Sequence, residues 1–83
     1  MTEPRITFVT RAGCHLCEDA RLVVQQVAAE LGEQVREVDV DTDPELLRRY
    51  AEQVPVTLVD GRRHDYWRVD ADRLRAALTR RRR

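Results

Sequence analysis

The chain has 83 residues, with fifteen basic and fifteen acidic side chains and no formal net charge at neutral pH. That length is one domain with a modest core, in which roughly 60–65% of the unfolded surface is buried. A balanced charge gives no general reason to expect nucleic acid as a partner, and no apolar run approaches the roughly 18 residues that span a bilayer.

The opening Met1–Pro4 is polar and has no signal-peptide core. A cytoplasmic location is the expectation, and thiols there are kept reduced. Arg5 to Thr10 is a β-branched run and predicts the first strand. Arg11-Ala12-Gly13 is a turn. From Cys14 to Leu31 the apolar residues Leu16, Ala20, Val23, Val24, Val27, Ala28 and Leu31 share one helical face, and Gly32 stands where a helix ends.

Val35 to Val40 predicts a second strand, interrupted by Arg36, Glu37 and Asp39 and therefore suited to a sheet edge. Asp43-Pro44 reads as a cap and first helical residue, opening a helix to about Ala51. Val54 to Val59 is nearly all apolar, which predicts a central strand covered on both faces. Asp60-Gly61 is a hairpin turn, with His64 to Val69 as the antiparallel partner. Tyr66 and Trp67 point to opposite faces of that strand, so one of them is expected in the core. Asp70 caps a last helix with Leu74, Ala77 and Leu78 on its buried face. Arg80 to Arg83 reads as a disordered charged tail.

The order β-α-β-α-β-β-α makes the first two strands parallel with a helical crossover. With the polar second strand and the last strand as edges, the sheet order is 2-1-3-4. The fold class is α/β, in a single domain over 1–83.

Cys14 and Cys17 are three positions apart. A bridge between them closes a tiny loop, so it contributes little to stability. Their place at a strand-to-helix turn in a β-α-β start points instead to thiol–disulfide chemistry. The mouth of a helix offers free N–H groups and a partial positive charge, and both favour a thiolate. Cys14, at the helix end, is expected to attack a substrate disulfide. Cys17, one turn inside, then resolves the mixed disulfide. Arg11 and His15 add positive or polarisable character beside Cys14. A zinc site of His64, His15 and the two cysteines would need four converging ligands, but His15 lies between the two cysteines and points away from such a convergence; no metal is expected.

The segment Thr10-Arg11-Ala12-Gly13-Cys14-His15-Leu16-Cys17 resembles the glutaredoxin active-site segment, and Cys14 to Ala20 is similar to that of short bacterial glutaredoxin-like proteins. The resemblance runs from about Arg5 to Leu78. It implies a thioredoxin-like fold of the glutaredoxin type and a dithiol oxidoreductase acting on protein or small-molecule disulfides. Cys14 would be the nucleophile and Cys17 the resolving residue. Pro55 would be a cis-proline, Val54 would lend its backbone to the substrate, and Arg11 would attract a substrate carboxylate. His15 completes the substrate-facing set with Arg11, Val54 and Pro55. His15-Leu16 replaces the family's Pro-Tyr, and Trp67-Arg68 stands where glutaredoxins carry Gly-Gly. These departures argue against glutathione as co-substrate, and no resident cofactor is expected. The expected partner is a disulfide-bearing protein or low-molecular-weight thiol, met by a monomer, with no nucleic acid and no membrane. Two alternatives remain: a protein-binding module with a redox-gated cysteine pair, and a dimeric iron–sulfur cluster binder.

Overall fold

The computed structural model describes residues 3–79. The arginines at 80–83, expected as a disordered tail, lie outside the described residues. Strands β1 (Ile6–Thr10), β2 (Val35–Asp39), β3 (Val56–Val59) and β4 (Arg62–Tyr66) form one mixed sheet in the order β2-β1-β3-β4. β1 runs parallel to β2 and antiparallel to β3, and β3 pairs antiparallel with β4. The sheet order and the identity of both edges are those expected from strand polarity.

Helices α1 (His15–Leu31) and α3 (Ala71–Thr79) cover one face of the sheet. Ile6, Phe8 and Val59 project there and pack with Ala20, Val24, Val27, Ala28, Leu74 and Leu78. Helix α2 (Pro44–Tyr50) covers the other face, where Val9, Val56 and Leu58 meet Val40, Leu46, Leu47 and Tyr50. Alternation along β1 and β3 explains the division, because successive side chains of a strand take opposite faces. All four residues of β3 are buried, Thr57 included, as its nearly all-apolar run leads one to expect.

The helix ends follow local chemistry. Asp43 Oδ1 accepts from the N–H groups of Glu45 and Leu46 at 3.0 and 3.3 Å, with Pro44 behind it as the first helical residue. Asp70 Oδ1 accepts from the Arg73 N–H at 3.1 Å and opens α3. Gly32 closes α1 in a left-handed conformation, with its N–H directed at the carbonyls of Ala28 and Ala29. A single arginine ties distant parts together. Arg5 donates through Nε and Nη2 to Asp60 and through Nη1 to Glu33 and the Leu78 carbonyl, so it joins the start of β1, the β3–β4 turn, the end of α1 and the end of α3.

The last strand differs from expectation. β4 spans Arg62–Tyr66, not His64 to Val69. Asp60 and Gly61 both have positive φ, 53° and 83°. That is the tight turn whose twist matches a hairpin, and it starts pairing at once with Val59↔Arg62. The pairing then slips, with Leu58 opposite Arg63 and Thr57 opposite Asp65, leaving His64 as a bulge. The strand ends where Trp67 turns to φ 66°. Tyr66 and Trp67 are both exposed, at 44% and 51%. The expectation that one of them is core fails, because the left-handed residue swings Trp67 out of the strand and β4 is an edge. The β2–α2 connection contains a short 3-10 turn, Val40–Thr42, not foreseen because Val40 reads as a continuation of β2. Among the described residues no helix is long and apolar enough to cross a membrane.

Candidate functional site

β1 ends at Thr10, and a turn through Arg11, Ala12 and Gly13 delivers the chain to α1. Gly13 has φ 76°, a conformation that side chains oppose, and this bend sets Cys14 at the helix mouth. The Cys14 N–H donates to the Arg11 carbonyl at 3.3 Å. Cys14 is the N-cap: its backbone is extended, and its Sγ accepts from the Cys17 N–H at 3.2 Å. A sulfur thus occupies the acceptor position that a serine or aspartate oxygen holds in most caps. Helix geometry explains the rest, since the residue three positions on presents its N–H to the cap.

The two thiols, both free, have unlike surroundings. Cys14 is partly exposed, whereas Cys17 is 1% exposed under the first turn of α1. Burial pushes the Cys17 thiol pKa up, and the neighbouring Cys14 sulfur adds to the rise. The Thr10 hydroxyl and the Arg11 backbone pull it back by contact with the sulfur. The Thr10 hydroxyl is itself buried and has no other hydrogen bond among the described residues. Thr10 was missed as a site residue. The signal was present, since alternation from Ile6 and Phe8 places Thr10 on the α1 face.

Arg11 turns its guanidinium to Asp41. Nε and Nη2 donate to the two carboxylate oxygens at 3.1 and 2.9 Å. The pairing raises the Arg11 pKa and lowers that of Asp41, in each case mainly through the side-chain hydrogen bonds. Asp41 was also missed, because the Asp39-Val40-Asp41-Thr42-Asp43 run reads locally as the approach to a cap. His15, the first residue of α1, is exposed, and so is Leu16 beside it.

Pro55 continues β3 toward the same end of the sheet as Thr10, given the Val9↔Val56 register. The Val54–Pro55 peptide bond is cis. Among the described residues none hydrogen-bonds the Val54 amide or carbonyl. The Pro55 carbonyl accepts from the Trp67 N–H at 2.8 Å, and Trp67 Nε1 donates to the Glu52 carbonyl at 3.1 Å. Tyr66 packs edge-on to Trp67, with ring centres 5.1 Å apart. Arg11, Cys14, His15 and Cys17 therefore form one strand–turn–helix unit, and Val54 and Pro55 lie just before β3, the strand paired with β1, outside the strand in which the sequence placed them. Among the described residues no group of three or more His, Cys, Asp or Glu side chains is placed to hold a metal ion.

Residues 5–79 match the model of the glutaredoxin-like domain family (DUF836). The chain belongs to the glutaredoxin-like domain family. This glutaredoxin-like chain is 38% identical over 85 aligned positions to uncharacterised proteins of Mycobacterium tuberculosis and Mycobacterium bovis, covering 96% of itself and 88% of them. Among solved structures it is similar to a structural-genomics target from X. campestris, at 36% identity and TM-score 0.71, over 88% of this chain and 93% of the other. It is also similar to the solution structure of a Nitrosomonas europaea protein, at 25% identity and TM-score 0.74, over 92% and 93% of the two chains. The glutaredoxin-like fold of the thioredoxin superfamily, expected from the active-site segment and the element order, is thereby established.

Proposed function

We propose that this glutaredoxin-like chain is a dithiol oxidoreductase that reduces disulfides of proteins or small molecules. One observation carries the reading: the Cys14 sulfur caps α1 and accepts the Cys17 N–H at 3.2 Å, which places an accessible and a buried thiol one helical turn apart. The Cys14 thiolate attacks one sulfur of a substrate disulfide. A bond forms between Cys14 Sγ and that sulfur, and the other leaves as a thiolate that takes up a proton. The Cys17 thiolate then attacks Cys14 Sγ, and the second substrate sulfur leaves. The substrate gains two electrons and two protons, and the protein keeps a Cys14–Cys17 disulfide. A thiol reductant returns it to the dithiol.

The N–H of Cys17 has a part in the first step. It stabilises negative charge on Cys14 Sγ as attacking group, by the same interaction that makes helix mouths receptive to anions. Cys17, withheld from solvent, is shielded from competing oxidants and becomes useful only after Cys14 has been engaged. Val54 supports substrate binding through its backbone groups, which offer a donor and an acceptor to an extended segment.

Single-turnover reaction with bis(2-hydroxyethyl) disulfide and with insulin tests the reading. The native chain releases two thiols per protein from the small disulfide. Cys14→Ser releases none, and Cys17→Ser releases one and retains a mixed disulfide on Cys14, visible as a mass increase. Absence of a Cys14 adduct in Cys17→Ser refutes the mechanism.

A second reading has its own observation. Trp67 and Tyr66 form an exposed aromatic pair anchored to the Pro55 carbonyl, as a docking surface for one protein partner would require, with the cysteines as its redox gate. Adducts of Cys17→Ser with one partner only, unaltered by loss of turnover, favour this module. Adducts with many disulfide proteins favour the enzyme.

A further inference from the structure

Arg11 stands on the turn that carries the cysteine pair, and its carbonyl accepts from the Cys14 N–H. An unengaged guanidinium there would draw an anionic substrate toward Cys14. Its fork, however, is filled by both oxygens of Asp41, at 2.9 and 3.1 Å, in the parallel two-bond geometry that guanidinium and carboxylate favour. Asp41 is itself held ready. Its N–H donates to Asp39 Oδ1 at 2.9 Å, and the Thr42 hydroxyl donates to the Asp39 carbonyl at 2.7 Å, so the 3-10 turn presents the carboxylate as a preformed unit.

Charge around the turn is also unequal. Asp39 acts on Arg11 through space, and Asp43 follows two residues beyond Asp41 with its carboxylate on the α2 cap. Two carboxylates, Asp39 and Asp41, thus act on one guanidinium. On α1, the exposed Glu18 lies four residues from Cys14, on the same side of the helix one turn on. The Arg11 and Asp41 side chains keep 40% and 48% of their exposure, so substrate can reach them. A tethered carboxylate nonetheless acts at an effective concentration of about millimolar or more. A free carboxylate must displace it.

We propose that Asp41 sets the charge selectivity of the cysteine site, so that neutral and cationic disulfides are accepted ahead of carboxylate-bearing ones. This rests on the dithiol reading above. The substrates it favours are disulfides flanked by amines or by basic peptide, and acidic small thiols are disfavoured.

Three disulfides of similar size test it: cystamine (cationic), bis(2-hydroxyethyl) disulfide (neutral) and 3,3′-dithiodipropionate (anionic). The rate constant for each with the native chain is divided by that with dithiothreitol, which removes intrinsic reactivity. At low ionic strength the cation-to-anion ratio should exceed unity by about threefold to tenfold, the effect of one charge at roughly 6–12 Å through water, acting with opposite sign on the two disulfides. It should fall toward unity at about 1 M salt, where the Debye length is ~3 Å. Asp41→Asn should move the ratio toward the anion by a similar factor, and adding Arg11→Gln should reverse that gain. A structural role for Asp41 would change all three rates together and leave the ratio alone. Reaction with all three disulfides at the reference ratio, or a ratio unmoved by Asp41→Asn, overturns the selectivity while leaving the dithiol reading intact. No reaction with any of them removes both.

Discussion

Replacing Trp67 by alanine and by glycine separates its backbone from its ring. Both variants lose the indole, its hydrogen bond to the Glu52 carbonyl and its contact with Tyr66, so those losses cancel in the comparison. What differs is the left-handed backbone at φ 66°. An L-residue there costs about 1–2 kcal/mol, and glycine escapes that cost. Glycine loses more entropy on folding, which returns about 0.4–1 kcal/mol to alanine. The net difference favours glycine by about 0.5–1 kcal/mol, the reverse of the order found where φ is negative. Urea unfolding followed by circular dichroism is the assay, since Trp67 is the one tryptophan in the chain and both variants lose its fluorescence. At a slope near 1 kcal/mol/M, Trp67→Gly should unfold at a midpoint roughly 0.5–1 M above Trp67→Ala. Equal midpoints, or a higher one for alanine, would refute a strained backbone at this position. Trp67→Gly should still be less stable than the native chain. About half the ring is covered, roughly 100 Å² worth about 2.5 kcal/mol, which exceeds the relief of strain.

The resolving step should accelerate with pH. Burial raises the Cys17 thiol pKa, and burial persists once Cys14 is capped by substrate. At neutral pH only a minor fraction is thiolate, so release from a Cys14 mixed disulfide should rise nearly tenfold per unit between about pH 7 and 8.5; a flat profile by stopped-flow would contradict this. Leu74→Ala, at a fully buried position joining α3 to α1, should lower unfolding free energy by about 2–5 kcal/mol in urea titration. Arg5→Met should cost about 1–2 kcal/mol at low salt. Its ion pairs with Asp60 and Glu33 and its bond to the Leu78 carbonyl join four segments, and the cost should shrink at about 1 M salt; thermal melts at two ionic strengths measure it.

Legibility in the sequence tracked how local the determining physics is. The mostly apolar Val56–Val59 run and the charges at Arg36 and Glu37 were enough to order the sheet, because burial of a strand's faces is written in its own residues. Asp43-Pro44 marked a helix start for the same reason. The turn carrying the cysteine pair was legible as a motif, with Cys14 shifted from first helical residue to cap. The bounds of β4 were not legible. The bulge at His64 and the left-handed Trp67 depend on how β4 seats against β3, and an alternating run cannot report a slip in register. The Arg11–Asp41 pair links residues thirty positions apart. With fifteen charges of each sign, no pattern in the chain singles out that pairing.

The order β2-β1-β3-β4 also bears on how the chain is made. A ribosome delivers β1, α1, β2 and α2 before any residue of β3. Until then β1 has a partner on one side alone, and Ile6, Phe8 and Val9 lack the strand that completes their cover. Any sheet formed by that stretch alone would carry the open edge of β1, the kind of edge that invites wrong pairings. Cooperative closure waits for the stretch from Val56 to Val59, a delay that long-range topology imposes whatever the local helix propensities.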